Sequence, residues 1–228
     1  MQALDNIIWK SLTTRHVEFA QGVGQARRFM PEVSPLAALR EPTAQGYNSL
    51  AELLPAGGTI GLFLDEPYQA GCGWKYVAGA PLVRMVCENR HSRTEPCCEA
   101  VIELGDADSP EMIQLTTLTK PGPFGKRTHE LGTYLGIRRE GRLVAMAGER
   151  LKVPGFTEIS AVCTHPDHTG KGYARVLMTA LMQRIHARGE MPCLHVRQDN
   201  VHAIGLYERL GFRQCHQGHY AVLRKIAS

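Results

Sequence analysis

The segment V-C-T-H-P-D-H-T-G-K-G-Y-A-R-V-L-M, residues 162–178, constrains the fold more than any other part of the chain. Its apolar beginning leads into Pro and Gly residues, and apolar residues at helical spacing follow at once. This order predicts a buried strand, a glycine-rich turn and a helix. Backbone N–H groups of such a turn and of the first helical turn can point at one diphosphate.

Two well-known phosphate loops are excluded at this turn. A Walker A loop would need Gly at position 165, which is His, and Ser or Thr at position 172, which is Gly. The dinucleotide-binding fingerprint fails because Arg175 replaces its third Gly. A plain strand-to-helix turn without a ligand stays as the alternative.

Three side chains before the turn have the spacing of a small metal site. Cys163, His165 and His168 form a C-x-H-x-x-H pattern, but zinc takes three or four protein ligands and no partner motif stands elsewhere. We therefore expect no metal. A nucleophilic Cys163 is also not expected, because a cysteine in a strand is usually a small core residue.

Composition places the chain among ordinary soluble globular proteins. Of its 228 residues 43% are hydrophobic and 21% charged, and no apolar run reaches membrane-spanning length. The first residues lack a basic segment followed by a long apolar stretch, so we expect no secretory signal. We expect a cytoplasmic protein that does not bind membranes. Seven cysteines without a C-x-x-C pair predict reduced thiols.

The net charge of +4 is unevenly placed. Residues 98–228 hold 17 Lys and Arg against 13 Asp and Glu, while residues 1–97 hold 9 against 9. The excess lies in the half with the glycine-rich turn, which fits an anionic ligand. The chain has no dense run of Lys and Arg residues, so we expect no nucleic-acid binding.

The periodicity from residue 98 onward predicts the element order β-α-β-β-β-α-β-α-β. This is an α/β (α+β) arrangement in which two helices each follow a core strand. The first 97 residues predict helices and strands at residues 59–64 and 80–88. We expect a domain at 98–228 and an N-terminal α/β region at 1–97.

Three polar residues outside the turn are candidates for chemistry. Glu158 lies in a strand that otherwise resembles core, where burial would raise its pKa and suit it to general-base catalysis. An edge-face Glu is the alternative. Tyr207 fits a core aromatic with its hydroxyl at the rim, and Asn200 fits a helix N-cap.

These segments together resemble the GNAT N-acetyltransferase superfamily. The match rests on T-G-K-G-Y-A at 169–174, on T-E-I-S-A-V-C-T-H-P-D-H before it, and on H-V-R-Q-D-N-V-H-A-I-G-L-Y-E-R-L-G-F after it. The motifs cover residues 158–212. The resemblance implies a GNAT-like, mixed and mostly antiparallel central sheet flanked by helices, with an N-terminal α/β extension.

The resemblance also implies acetyl-CoA, or a related acyl-CoA, as cosubstrate. Its pantetheine arm would pair with the backbone of Val162, Cys163 and Thr164. Its diphosphate would be bound by six residues: Thr169, Gly170, Lys171, Gly172, Tyr173 and Ala174. One departure is Thr169, which stands where the family usually has Arg or Gln.

Catalytic roles follow from the same resemblance. Glu158 would accept the acceptor ammonium proton, directly or through water, and the Val162 N–H would hold the oxyanion. Tyr207 would protonate the departing CoA thiolate, and Asn200 would contact the pantetheine arm. Transfer would be direct, in a ternary complex.

The acceptor is less constrained. The loop at residues 120–132, with Thr128, His129 and Glu130, falls where such enzymes shape the acceptor site, although a structural Ω-loop is equally consistent. We expect a small-molecule primary amine or amino acid. A protein N-terminus or lysine, and a non-catalytic acyl-CoA-binding module, stay as alternatives.

The role of residues 1–97 has two interpretations. They would form a degenerate partner half that walls the acceptor cleft, as in two-part acyltransferases resembling glycine N-acyltransferases. Otherwise they would mediate formation of a homodimer.

Overall fold

One mixed sheet of eleven strands organises the protein in the computed structural model, which describes residues 2–69, 71, 73–88 and 100–226. The first part of the chain contributes helices α1 (Ile7–Thr13) and α2 (Ala44–Glu52). Its strands are β1 (Ala20–Val23), β2 (Ala26–Phe29), β3 (Leu36–Leu39), β4 (Thr59–Leu64) and β5 (Trp74–Val86).

The second part of the chain follows the predicted element order. Its strands are β6 (Val101–Leu104), β7 (Tyr134–Arg139), β8 (Arg142–Val153), β9 (Phe156–Thr164), β10 (Met191–Arg197) and β11 (Arg213–Lys225). Its helices are α3 (Ser109–Thr119), α4 (Tyr173–Ala187) and α5 (Val201–Arg209). The order β-α-β-β-β-α-β-α-β is therefore confirmed.

The strands lie in the spatial order β1-β2-β3-β4-β11-β5-β10-β9-β8-β7-β6. Neighbours are antiparallel except in the pairs β3–β4 and β9–β10, which are parallel. This mixed, mostly antiparallel sheet agrees with the predicted fold class. The strand predicted at 80–88 is longer than expected and begins at Trp74.

Strand β5 connects the two parts of the chain. It pairs with β10 on one side and with β11 on the other, although both partners come more than a hundred residues later. The sheet thus runs without a break from the N-terminal strands to β6. The predicted boundary after residue 97 lies outside the described residues, and the division into two domains stays a prediction.

The two faces of the sheet are covered by different helices because side chains alternate along each strand. On one face, Ala145, Ala147 and Ile159 pack with residues of α4 and α5. On the other face, Met146 and Cys163 pack with residues of α3. No helix in the described part of the chain is long and apolar enough to cross a membrane.

Helix ends follow their local sequences. Asn200 caps α5, its side chain accepting a hydrogen bond from the Ala203 N–H at 3.2 Å, as the sequence predicts. Gly189 follows the end of α4 with φ +78°, a conformation that favours glycine. Both ends fix the helices that border the site.

Candidate functional site

A cleft opens where strands β9 and β10 part. The two strands pair at only three positions, from Met191 opposite Phe156 to Cys193 opposite Glu158. Beyond these pairs, the ladder between the two strands stops. The backbone of residues 159–164 therefore presents free edge groups to the cleft, which an extended ligand can pair with.

A bulge in β9 interrupts the ladder with β8 on the opposite side. Met146 pairs with Cys163 and Gly148 with Ser160, so Ala147 faces both Ala161 and Val162. Ala161 adopts φ +53°, a left-handed conformation that costs roughly 1–2 kcal/mol for a residue other than glycine. Strain of this kind re-aims the neighbouring backbone, here the Val162 amide.

The cleft encloses about 550 Å³. Its walls include residues of β9, β10, α5 and β5, the last residue of α3, and residues 120–123 after that helix. The predicted site residues that line it are Val162, Cys163, Thr164, Asn200 and Tyr207. The structure thus brings these five together in one cavity.

The glycine-rich turn lies between β9 and α4. Gly170 and Gly172 have φ +75° and +80°, and a Cβ on either would meet no atom within 4 Å. The turn is therefore open, and Gly172 stands directly before the first residue of α4. Its N–H groups and those of the first turn of α4 form the kind of site that binds phosphate.

Tyr207 lies on α5 with its ring packed near Phe212 and 9% of its surface exposed. Burial raises the pKa of its phenol to about 12. The hydroxyl therefore keeps its proton at neutral pH and can donate it. Asn200 lines the same cavity, although its side-chain oxygen is already used in capping α5.

Glu158 is fully buried and held by two partners. Its two oxygens accept hydrogen bonds from Nε and Nη2 of Arg150, both at 2.8 Å, and its Oε1 lies 2.7 Å from Nδ1 of His195. Arg150 is itself 6% exposed. This buried triad occupies the point where β9 and β10 begin to part.

The expectation of a raised Glu158 pKa is wrong. Burial pushes this pKa upward, but the Arg150 guanidinium and the His195 hydrogen bond together bring it down to about 2. Glu158 is therefore a stable carboxylate. Sequence reasoning missed both partners: Arg150 lies outside the quoted segments, and His195, the first residue of the third segment, contacts Glu158 from a neighbouring strand that the sequence alone does not identify.

A second, smaller cavity of about 230 Å³ lies next to the cleft. The two cavities share Phe63, Leu82 and His195. The N-terminal part of the chain supplies much of the second cavity's wall, at residues 4–8 and 39–42. These two segments therefore border the region beside the cleft.

The structure does not bring Thr128, His129 and Glu130 to either cavity. The Thr128 hydroxyl donates to the Val33 carbonyl, His129 contacts Asp106 at 2.8 Å, and Glu130 forms a bidentate pair with Arg127. The first two contacts tie this loop to Val33 and Asp106, and the third lies within the loop. From this loop, only residues 120–123 line the cleft.

The pattern Cys163, His165 and His168 does not assemble into a ligand set. Burial raises the pKa of the Cys163 thiol to about 11, and Cys163 packs in the apolar cluster under α3. Among the described residues, no group of three or more His, Cys, Asp or Glu side chains is placed to hold a metal ion.

A known family model and individual relatives are similar to this chain. A family model described as FR47-like protein matches residues 134–221. The N-alpha-acetyltransferase RimI of Mycobacterium tuberculosis is 33% identical over 130 residues, which are 53% of this chain and 81% of that protein. An acetyltransferase of Yersinia pestis is 44% identical over 50 residues, 21% of this chain and 35% of that protein.

Solved structures resemble the whole chain. A protein from Novosphingobium aromaticivorans assigned to the GNAT family has a TM-score of 0.90 and 36% identity, covering 99% of both chains. A GCN5-related N-acetyltransferase from Kribbella flavida has a TM-score of 0.62 and 16% identity, covering 98% of this chain and 96% of that one. The latter shows a likeness of fold alone.

Proposed function

Because this chain belongs to the GNAT N-acetyltransferase superfamily, we propose that it transfers an acetyl group from acetyl-CoA to a primary amine. The acceptor is a small molecule or an amino acid, and transfer is direct, within a ternary complex. The observation that carries this proposal is the parting of β9 and β10 beside the bulge at Ala161.

The cleft fits an extended acyl-CoA arm. The free backbone edge of Val162, Cys163 and Thr164 offers hydrogen bonds to the pantetheine amides. The open turn with Gly170 and Gly172 offers N–H groups to the diphosphate. Position 169 holds Thr in place of the usual Arg or Gln. The diphosphate would therefore be bound by backbone N–H groups and by the dipole of helix α4.

Two groups act on the thioester in this proposal. The Val162 N–H, aimed by the bulge, stabilises the negative charge that develops on the carbonyl oxygen. The Tyr207 phenol, whose pKa burial raises to about 12, supplies a proton to the departing sulfur. The proton that the amine loses is taken up by the group of Glu158 and its buried partners.

The smaller cavity supports a small acceptor. Its volume of about 230 Å³ suits a compact molecule, and its wall contains N-terminal residues that would limit the space for a folded partner. His195 belongs to the walls of both this cavity and the cleft. An amine that enters through it would thus reach the thioester beside the Glu158 triad.

A second candidate acceptor is the α-amine of a protein N-terminus. It is favoured by the similarity to a relative whose name describes an N-alpha-acetyltransferase. An extended peptide end is narrow enough to enter a small opening. The two acceptor classes are separated by assay rather than by the shape of the cleft.

The test is release of CoA thiol from acetyl-CoA in the presence of amino acids, polyamines, aminoglycosides and short peptides. We expect a rate that depends on one acceptor class and falls at least tenfold in Tyr207→Phe, which corresponds to about 1.4 kcal/mol of barrier. Tyr76→Phe, a half-exposed tyrosine on β5 outside both cavities, is the matched control and should keep the wild-type rate.

Three other results would count against this proposal in different ways. Saturable acetyl-CoA binding without turnover on any amine would favour a non-catalytic binding module. Turnover on peptides alone would select the N-terminal acceptor. A chain that does not bind acetyl-CoA would contradict the proposed cosubstrate.

A further inference from the structure

His195 lies on β10 between the cleft and the smaller cavity, and it lines both. Its ring packs against Phe63, with the ring centroids 4.7 Å apart. Its Nδ1 is 2.7 Å from Glu158 Oε1. No other ionisable side chain of the Glu158 triad lines both cavities.

The hydrogen bond to Glu158 decides which ring nitrogen carries a proton. Because the pKa of Glu158 is about 2, its carboxylate only accepts hydrogen bonds, so Nδ1 must be the donor. In the neutral ring, Nε2 then carries the lone pair. Nε2 makes no hydrogen bond with any described residue. It is also not one of the fully buried polar atoms that lack a hydrogen-bond partner in the described part of the chain.

The charges around His195 favour the neutral ring. Burial lowers the His195 pKa most, and the Glu158 carboxylate on β9 opposes this. Arg150 on β8 and Arg84 on β5 lower the pKa further, and the net pKa lies below the usual value. The imidazole is therefore neutral at neutral pH, as a general base must be before it accepts a proton.

Glu158 itself is poorly placed to receive the amine's proton. It has no exposed surface, and its oxygens are occupied by Arg150 and His195. The Glu158 carboxylate is instead placed to orient the His195 imidazole, and the imidazole is placed to face the substrate.

We propose that His195 is the catalytic base, accepting at Nε2 the proton of an acceptor ammonium that enters through the smaller cavity. Glu158 is then a positioning residue that acts through His195, and Arg150 holds Glu158. This inference rests on the proposed acetyl transfer and refines its proton path.

The proton balance closes without another reactant. His195 takes the first proton of the ammonium, which frees the nitrogen to form the C–N bond as the C–S bond breaks. Tyr207 gives a proton to the sulfur, and the second proton of the nitrogen replaces it through solvent. His195 returns its proton to solvent, so turnover yields the amide, CoA thiol and one proton.

The test compares His195→Gln with His202→Gln, which changes an exposed histidine on α5 outside both cavities. With the best amine of the acceptor panel, we expect kcat to fall about 10²-fold in His195→Gln, while the acetyl-CoA Kd measured by calorimetry stays within about threefold. The inflection in the pH profile that belongs to His195 should vanish, leaving a rate that follows the fraction of free amine alone. A kcat within threefold of wild type would overturn the proposal.

Nitrogen-15 NMR of the histidine rings gives a readout that does not need turnover. At neutral pH we expect His195 to be neutral, with its proton on Nδ1 and a bare Nε2. A charged ring, or a proton on Nε2, would overturn the role of His195 even in an active enzyme. If the wild type binds acetyl-CoA but acetylates no amine, the proposed function fails, while the NMR result still decides the state of His195.

Discussion

Replacing Arg150 by Met should remove about 3–5 kcal/mol from the free energy of unfolding. Arg150 is almost fully buried, and its guanidinium donates two hydrogen bonds to the fully buried Glu158 carboxylate. Removal of one partner leaves an uncompensated charge in an apolar region. The remaining Glu158 charge should also raise the pKa of His195, which Arg150 now lowers.

Urea unfolding followed by circular dichroism measures this effect. The double variant Arg150→Met/Glu158→Gln should recover much of the loss, because it leaves no charge unpaired. Arg213→Met, which changes an exposed arginine at the start of β11, is the matched control and should alter stability by less than about 0.5 kcal/mol. A loss below about 1 kcal/mol in Arg150→Met would contradict the buried ion pair.

Replacing Val162 by Pro should lower kcat by about 10²–10³-fold, because Pro has no backbone N–H. In the proposed mechanism this N–H is the donor that stabilises the oxyanion. The steady-state rate of CoA thiol release, measured beside the acetyl-CoA Kd, reports the loss. The Kd should change much less than kcat, since the glycine-rich turn supplies most contacts to the diphosphate.

Val162→Ala is the control for this experiment, because it removes methyl groups and keeps the N–H. It should retain at least a third of the wild-type kcat. Equal losses in the Pro and Ala variants would mean that the side chain, and not the amide, is what the reaction needs. That result would remove Val162 from the proposed oxyanion site.

Local patterns predicted much of the second half of the chain. Helical spacing after Gly172, the N-cap at Asn200 and the glycine after α4 all depend on neighbouring residues, and the structure has them where the sequence places them. The same holds for the strand that carries Glu158. Such features follow from short-range geometry, which a sequence displays directly.

The environment of Glu158 could not be predicted in the same way. Arg150 comes eight residues earlier, on the neighbouring strand β8, and two irregularities in the β8–β9 ladder lie between regular pairs. A one-residue shift would turn Arg150 to the opposite face. The sequence therefore offered a buried carboxylate as one of two interpretations, but it did not indicate the guanidinium that reverses the pKa shift.

The position of β5 in the sheet could also not be predicted from neighbouring residues in the sequence. It lies between β10 and β11, so its partners are separated from it by more than a hundred residues. Nothing in the apolar run at residues 80–88 specifies these neighbours. The resulting sheet links strands β1–β4 to the cleft, and this agrees with the similarity over 99% of the chain to the Novosphingobium protein.

The most direct test of the central claim is a crystal structure of the protein with a non-hydrolysable acetyl-CoA analogue. The account predicts an arm lying between β9 and β10, with its diphosphate on the amides of residues 170–174. The carbonyl oxygen should lie about 2.7–3.1 Å from the Val162 nitrogen, and the sulfur should lie beside the Tyr207 hydroxyl. An analogue bound elsewhere, or absent from the cleft at saturating concentration, would contradict it.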